Sequence, residues 1–528
     1  MADSLTSTLR LAHEALLRKD LEQMHRLCLQ VLNQDPNAHR ALFLLAHIPA
    51  AHGNPDKALE LARRALRTSG PEAQYLAFAG QQHLALNQQS AAREAAGAAL
   101  EAGPEDAHTF DTIGVIFSRT GAHERALPCF EHAVAMVSDR ADYQYNLASS
   151  SQFLGHFEVA REAYQRAIAL RPGHFRAHSA LSQLETQTPE NNHIERLEKI
   201  MTAAKGSVDA TLHLGHALAK EYEDLGDYAA SLAWLERAKA GKRAQFKQSA
   251  QQDQTLFAAA RRLLQQCAAQ VAPAPVTTGS PIFVVGMPRT GTTLVDRILS
   301  SHSDVTAVGE LTQFALLTKR AVATRSNLVL DAPTLIAAAG KSLDSVAEDY
   351  VSYVGDLAGE EQRPLDKMPL NFFYIPLILK TIPDARIIVL RRNPMDTCLS
   401  NYRQLFATSF SYYRYAYDLE QTAAYYSGFA QLMDDCCTLL PSESLLEVHY
   451  EDLVADLEPQ VQQLLEFCDL DWQPECLAFH DNEAPVATAS SVQVRTPLYQ
   501  RASGRWRRYG DALAPLAQAL EQQGIAIE

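Results

Sequence analysis

Proline recurs in the first third of the chain at Pro36, Pro71, Pro104 and Pro172, each time after an apolar stretch, and Ser138 fills the missing slot. The steps between successive slots are nearly constant. They match the period of a paired-helix repeat, about 34 residues. Between Ala107 and Pro172 the match is position by position. Gly114, Phe117, Ala126, Phe130 and Ala133 are followed one period later by Ala148, Ser151, Ala160, Tyr164 and Ala167, with Gly121 and Gly155 marking turns. Small residues sit where two short antiparallel helices cross, and a large residue one turn away fills the groove. Pro or Gly then ends the second helix. One such pair cannot bury its own apolar face, so the pattern requires a stack of them.

This spacing resembles the tetratricopeptide repeat. About five repeats run to residue 172, and Tyr222, Gly226 and Ala238 suggest a further unit at 210–240. Residues 183–209 read as a looser pair. The first repeat is degenerate, with Met24, Cys28 and Val31 at its small/large/small positions, as suits a terminal cap. The resemblance implies an α-solenoid over residues 1–270 whose concave surface takes extended peptides.

A chain of 528 residues with 47% hydrophobic and 21% charged residues has room for two to four folded domains. The stretch VAPAPVTTGS, residues 271–280, reads as a linker. Before residue 281 there are 28 Lys and Arg against 30 Asp and Glu; from 281 onward there are 19 against 32. Neither part carries the basic excess of a nucleic-acid or polybasic membrane binder. No run of about 18 apolar residues exists and no apolar leader follows Met1, so neither a membrane span nor a signal peptide is expected. The eight Cys are scattered without a CxxC pair, which suggests reduced thiols and a cytoplasmic protein. The 18 His show no metal-ligand spacing, and no metal is expected.

After the linker the chemistry begins. Ile282–Val285 is a short β-branched and aromatic run, the mark of a buried strand. A Gly-bounded loop, Gly286-Met-Pro-Arg-Thr-Gly291-Thr-Thr293, follows, and then Leu294, Val295, Ile298 and Leu299 at helical spacing. Strand, Gly loop and helix form a phosphate cradle, with backbone N–H groups aimed at an anion. The two glycines have the Walker A spacing, but Thr292 stands where that motif has its Lys. This argues against a nucleoside triphosphatase, and Arg289 supplies positive charge instead. A second unit, ARIIVLRRNPMDTCLSNYR, is a buried strand ending in Arg391, Arg392 and Asn393, after which Pro394 starts a helix that carries Ser400. An Arg at a strand end and a hydroxyl on the next helix can grip one phosphate.

The two motifs in this order resemble those of the sulfotransferases that use 3′-phosphoadenosine 5′-phosphosulfate (PAPS). The likeness is nearest to bacterial proteins that join tetratricopeptide repeats to a sulfotransferase domain, and more distant to the tyrosylprotein sulfotransferases. It implies a P-loop-like α/β domain with a parallel sheet over residues 281–528. Arg289, Thr290, Gly291, Thr292 and Thr293 would hold the 5′-phosphosulfate, and Arg392 and Ser400 the 3′-phosphate. Arg391 is adjacent, and spacing alone favours Arg392.

Glu310, by its separation from Thr293, matches the tyrosylprotein family's catalytic Glu and would act as general base. Lys367, in PLDKMPL, matches a Lys that contacts the transferring group and would offset charge on the breaking S–O bond. Ser491 matches a Ser that stabilises the transition state. Arg505, at the family's separation from that Ser and directly before Trp506, replaces a family Lys at the 3′-phosphate. Tyr450 matches a Tyr beside the donor nucleotide, or is a core aromatic.

Arg501, Arg505, Arg507 and Arg508 cluster in an otherwise acidic domain, a pattern that suits a small captured anion better than a long polyanion. Tyr412, Tyr413, Tyr415 and Tyr417 either line an acceptor pocket or pack a helix. The expected acceptor is a hydroxyl on a protein or peptide, with Tyr one candidate, presented by the repeats. A glycan, lipid or small molecule, or a non-catalytic scaffold, are the alternatives. No oligomeric state follows from the sequence.

Overall fold

The computed structural model describes residues 2–204, 206–246, 249–277, 279–326, 328–359, 362–408, 410–482 and 503–527. The chain divides into two compact units, Met1–Ala177 and His178–Glu528.

The first unit is a run of helix pairs. Helices His39–Ala51, Ala73–Ala85, Ala107–Arg119 and Ala141–Leu154 begin at a constant step of one repeat, and each is followed by its partner, as in Ala107–Arg119 with His123–Met136. The repeated small residues lie at the crossings. A Cβ on Gly114 would stand 2.7 Å from the Phe130 ring, so only glycine admits that ring. Ala126, Ala133, Ala148, Ala160 and Ala167 are fully buried. Asp106 and Asn54 cap helix N-termini by accepting from Thr109 N and Lys57 N.

The second unit holds a five-stranded, all-parallel sheet in the order β2-β3-β1-β4-β5. The strands are β1 Ile282–Gly286, β2 Val305–Gly309, β3 Arg363–Asp366, β4 Arg386–Arg391 and β5 Leu445–His449. Both faces of the sheet are covered. Phe283, Val285, Ile387 and Val389 enter one apolar cluster; Ile282, Val284, Ile388 and Leu390 enter the other. Strands buried on both sides read as unbroken apolar runs, as β1 and β4 do.

Helices ahead of residue 281 belong to this second unit. Ser249–Cys267 buries Leu256, Phe257, Leu263 and Leu264 in the same cluster as Phe283 and Val285. The hairpin of Val208–Asp224 and Tyr228–Gln245 sends Lys239 into the interior. Its ammonium donates to the Ala416 carbonyl at 2.9 Å and lies 5.1 Å from the rings of Tyr402 and Tyr417. Arg243 pairs with Asp418 at 3.2 Å. The sequence pattern sets a division at 270; in packing, the helices from 178 onward go with the sheet.

Candidate active site

The candidate residues are grouped by the strand ends. The glycine loop follows Gly286 of β1, Glu310 follows Gly309 of β2, and Lys367 follows Asp366 of β3. Arg392 follows Arg391 of β4, and Tyr450 follows His449 of β5. All five sit at the carboxyl edge of one sheet, where open α/β folds bind ligands.

The loop is held from the β4 side. Arg392 Nη1 donates to the Arg289 carbonyl at 2.9 Å, and Asn401 Nδ2 donates to the Pro288 carbonyl at 2.7 Å. Tyr415 OH in turn donates to Asn401 Oδ1 at 2.7 Å. Thr290 is fully buried and closes the turn by donating to the Met287 carbonyl at 2.8 Å. Arg289 has φ +69° and Gly291 φ +108°, so the backbone curls before the helix Thr292–Leu299 starts. A Cβ on Gly291 would meet Tyr450 Cδ2 at 2.5 Å. Thr292 and Thr293 open the helix, whose first N–H groups lack intrahelical partners by geometry.

The two adjacent arginines diverge. Arg391 is committed to Glu447 at 2.7 Å and to Asp434. Arg392 turns to the loop and lies 4.7 Å from the centre of the Tyr450 ring. Tyr450 therefore packs between the loop's second glycine and this guanidinium. Ser400 is half-buried, two turns along the helix Pro394–Arg403.

Asp396, which no sequence motif singles out, organises this side. Its carboxylate is 1% exposed and 3.9 Å from Arg392 Nη2, and it accepts from Gly504 N at 2.6 Å and Trp506 N at 3.0 Å. Arg505, between those two residues, points its Nε at Glu223 Oε1, 3.1 Å away. Glu223 also pairs with Arg403. Ser491 and Arg501 lie outside the described residues.

Glu310 and Lys367 form an ion pair. The Lys367 side chain is 3% exposed and that of Glu310 38%. Lys367 N donates to the Gly309 carbonyl at 3.0 Å, which ties the ends of β2 and β3 together. Beneath the pair, buried Asp366 accepts from Tyr350 OH at 2.6 Å, Asn371 Nδ2 at 3.2 Å and Leu311 N at 3.4 Å. Burial pushes the Asp366 carboxyl up to about 7 against these hydrogen bonds. Burial likewise pushes Asp296, one turn into the helix after the loop, up to about 6, with Lys367 and Arg297 opposing and Glu310 adding to the rise. No sequence signal marks Asp296, Asp366, Asp396, Asn401 or Glu223, because each acts through contacts remote in the chain. Among the described residues no group of three His, Cys, Asp or Glu is placed to hold a metal ion. No helix among them is long and apolar enough to cross a membrane.

A parallel sheet with a glycine loop after its central strand, an arginine after the next and a Glu–Lys pair beside them has the layout of a P-loop-like α/β fold. Residues 281–474 match the model of the sulfotransferase family, and residues 141–174 that of the tetratricopeptide repeat. Residues 281–474 are thus similar to a sulfotransferase-family domain, and a tetratricopeptide-like unit precedes them.

An uncharacterized protein of Aquifex aeolicus (strain VF5) is 29% identical over 379 residues, 70% of this chain and 49% of that protein. Protein-tyrosine sulfotransferase A of Caenorhabditis elegans is 26% identical over 237 residues, 43% of this chain and 60% of its own. The Drosophila melanogaster protein-tyrosine sulfotransferase is 23% identical over 239 residues, 43% and 46% of the two chains. The matched part therefore spans about half the length of these relatives. Among solved structures, the sulfotransferase domain of the Synechococcus PCC 7002 olefin synthase aligns with TM-score 0.35 and 18% identity, over 48% of this chain and 96% of that one. YrrB, a tetratricopeptide-repeat protein, aligns with TM-score 0.29 and 15% identity, over 39% and 96%.

Proposed function

We propose that this chain transfers a sulfuryl group from PAPS to an acceptor hydroxyl. The observation that carries the reading is the convergence of five strand ends on one edge. It brings an anion cradle, an arginine and a carboxylate–ammonium pair together in a domain that matches the sulfotransferase family.

In this reading Arg289, Thr290, Gly291, Thr292 and Thr293 hold the 5′-phosphosulfate. Arg392 and Ser400 hold the 3′-phosphate with Arg505, and Tyr450 backs the nucleotide. Glu310 takes the proton of the acceptor hydroxyl. That oxygen attacks sulfur in line, and the bond from sulfur to the bridging phosphate oxygen breaks. The electron pair leaves with 3′-phosphoadenosine 5′-phosphate, and Lys367 offsets the charge appearing on the bridging oxygen. Ser491 is assigned to the same transition state from the family likeness alone. No metal enters the scheme.

The acceptor we favour is a protein or peptide, with Tyr one candidate group, brought by the repeats of residues 1–270 to the domain 281–528. The names of the tyrosine-sulfating relatives support that choice. We place the protein in the cytoplasm on its eight scattered cysteines, which form no CxxC pair.

Calorimetric titration with 3′-phosphoadenosine 5′-phosphate against 5′-ADP tests the donor site. The expected preference for the 3′-phosphate is at least about tenfold, and it should vanish in Arg392→Ala. Binding of neither nucleotide would sink the assignment. Transfer from labelled PAPS to a panel of acceptors then tests the reaction.

A further inference from the structure

The loop after β1 is gripped by its carbonyls, and both grips come from β4 and the helix after it. Asn401 Nδ2 donates to the Pro288 carbonyl at 2.7 Å, and Arg392 Nη1 donates to the Arg289 carbonyl at 2.9 Å. No peptide bond among the described residues is cis. A trans peptide is planar, and its C=O and N–H point in opposite directions. Holding those two carbonyls toward the helix Pro394–Arg403 therefore turns the N–H groups of Arg289 and Thr290 away from it. Arg289, at φ +69°, lies between the two peptides. A side chain disfavours that left-handed conformation, so the surroundings must impose it. Successive N–H groups about a left-handed residue form a concavity that takes an anion.

The amide that does the gripping has one possible orientation. Asn401 is fully buried, and its Nδ2 also donates to the Thr397 carbonyl at 2.9 Å. Its Oδ1 accepts from Tyr415 OH at 2.7 Å. Turning the amide over would set Oδ1 against two carbonyl oxygens, neither of which can donate. Tyr415 is fully buried as well. Its ring stacks on Tyr425 with centres 3.8 Å apart, and its carbonyl accepts from Thr422 Oγ1 at 3.1 Å. A fixed ring thus presents the hydroxyl that fixes the amide.

Given the reading of this loop as the holder of the 5′-phosphosulfate, we infer that Asn401 and Tyr415 are positioning residues: through the Pro288 carbonyl they aim the loop's N–H groups at the 5′ end of the donor. Ser400, the residue before Asn401, is assigned to the 3′-phosphate. Neighbouring positions on one helix then serve the two ends of one nucleotide. Donors aimed before the ligand arrives need no reorganisation when it binds, whereas a peptide free to turn over offers its carbonyl to the anion as readily as its N–H.

Titration of the full chain with 3′-phosphoadenosine 5′-phosphate and with adenosine 3′-monophosphate, which lacks the 5′ group, isolates what the loop contributes. Asn401→Leu keeps the volume and removes the amide. It should weaken the bisphosphate by about tenfold or more while the monophosphate stays within about twofold. Tyr415→Phe keeps the stacked ring and removes the hydroxyl, so it should narrow the same ratio by a smaller factor, about threefold. Thermal melts of the three proteins accompany the titrations. A buried amide that serves packing alone would lower the melting temperature and leave the ratio of affinities unchanged, and that outcome overturns the inference. Equal weakening of both nucleotides overturns it too. If Asn401→Leu does not fold, Tyr415→Phe decides, and an unchanged ratio there is fatal in the same way. An unmodified chain that binds the two nucleotides equally is a separate failure, since it strikes the donor assignment and this inference together.

Discussion

Asp396 accepts a hydrogen bond from Gly504 N at 2.6 Å, from far along the chain, while standing 3.9 Å from Arg392. A second bond from Trp506 N, at 3.0 Å, completes the clasp. An acidic side chain is thus buried beside the arginine assigned to the 3′-phosphate. On charge alone its removal should tighten anion binding. If the clasp is what sets Arg505 beside Arg392, removal should weaken binding instead. Each lost hydrogen bond to a charged group is worth about 1.5–3 kcal/mol, so Asp396→Ala should weaken 3′-phosphoadenosine 5′-phosphate by tenfold or more and leave 5′-ADP less affected. Titration of both nucleotides decides; tighter binding in the variant would mean that the carboxylate acts only as a repelling charge.

Glu223 makes the helices before residue 281 part of the same arrangement, since it pairs with Arg403 and Arg505. Those helices also fill the core. Phe257 is 4% exposed and meets Phe373 and Tyr425 at ring distances of 5.0 and 4.9 Å. A fragment beginning at 281 would lose Leu256, Phe257, Leu263 and Leu264 from its core. At roughly 1.5–3 kcal/mol per large apolar side chain, that loss is comparable with the whole stability of a domain. The fragment 281–528 should therefore show no cooperative thermal unfolding, whereas 178–528 should. Circular dichroism melts of the two would settle it, and a well-folded 281–528 would restore the division at 270.

The sequence division at 270 and the packing division at 178 differ because they read contacts of different range. The hairpin Val208–Asp224 with Tyr228–Gln245 keeps the repeat's spacing at Tyr222, Gly226 and Ala238, so periodicity alone extends the solenoid through it. What assigns it to the sheet is a buried lysine and a set of ion pairs to residues far along the chain, which no local pattern encodes. The places of the glycine loop and of the strand ends in the fold were legible for the opposite reason. Each is contiguous with a strand whose apolar run announces burial on both faces. The carboxylates that brace them, Asp366 and Asp396, look in sequence like ordinary polar residues beside a motif.

Gly291 carries a steric prediction. An alanine there meets the Tyr450 ring at 2.5 Å and must hold φ +108°. Strained backbone and overpacking together should cost about 2–4 kcal/mol. The packing share should be relieved in Gly291→Ala/Tyr450→Ala, making the double variant less destabilised than the sum of the two singles. Denaturant midpoints of the four proteins measure this, and strict additivity would show that the ring yields freely.

Asp366 gives a pH prediction. With its carboxyl raised to about 7, the folded protein keeps a proton that the unfolded chain has released above about pH 4. The folded state binds more protons across this window, so this group's contribution makes stability fall as pH rises from 4 toward 7, with the full penalty above. Asp366→Asn removes the titration. Its melting temperature should fall less than the wild type's between pH 5 and 8, and the two should converge near pH 4. Parallel curves would mean that Asp366 ionises in the fold without penalty.

Glu310 and Lys367 can be separated by what each replacement spares. If Glu310 is the base, Glu310→Gln should lower the transfer rate by about 10²–10⁴ and leave binding of 3′-phosphoadenosine 5′-phosphate within about twofold of wild type, because the nucleotide's phosphates are assigned to other residues. If instead Glu310 serves only to hold Lys367, Glu310→Gln and Lys367→Met should lower the rate to a similar extent, and the double variant should add little to either. Lys367→Met distinguishes the partner's role: a cation that meets the leaving oxygen should matter more for donors with poorer leaving groups. Measured with labelled PAPS and an accepted acceptor, the two single variants and the double decide between base and brace, which one rate alone does not.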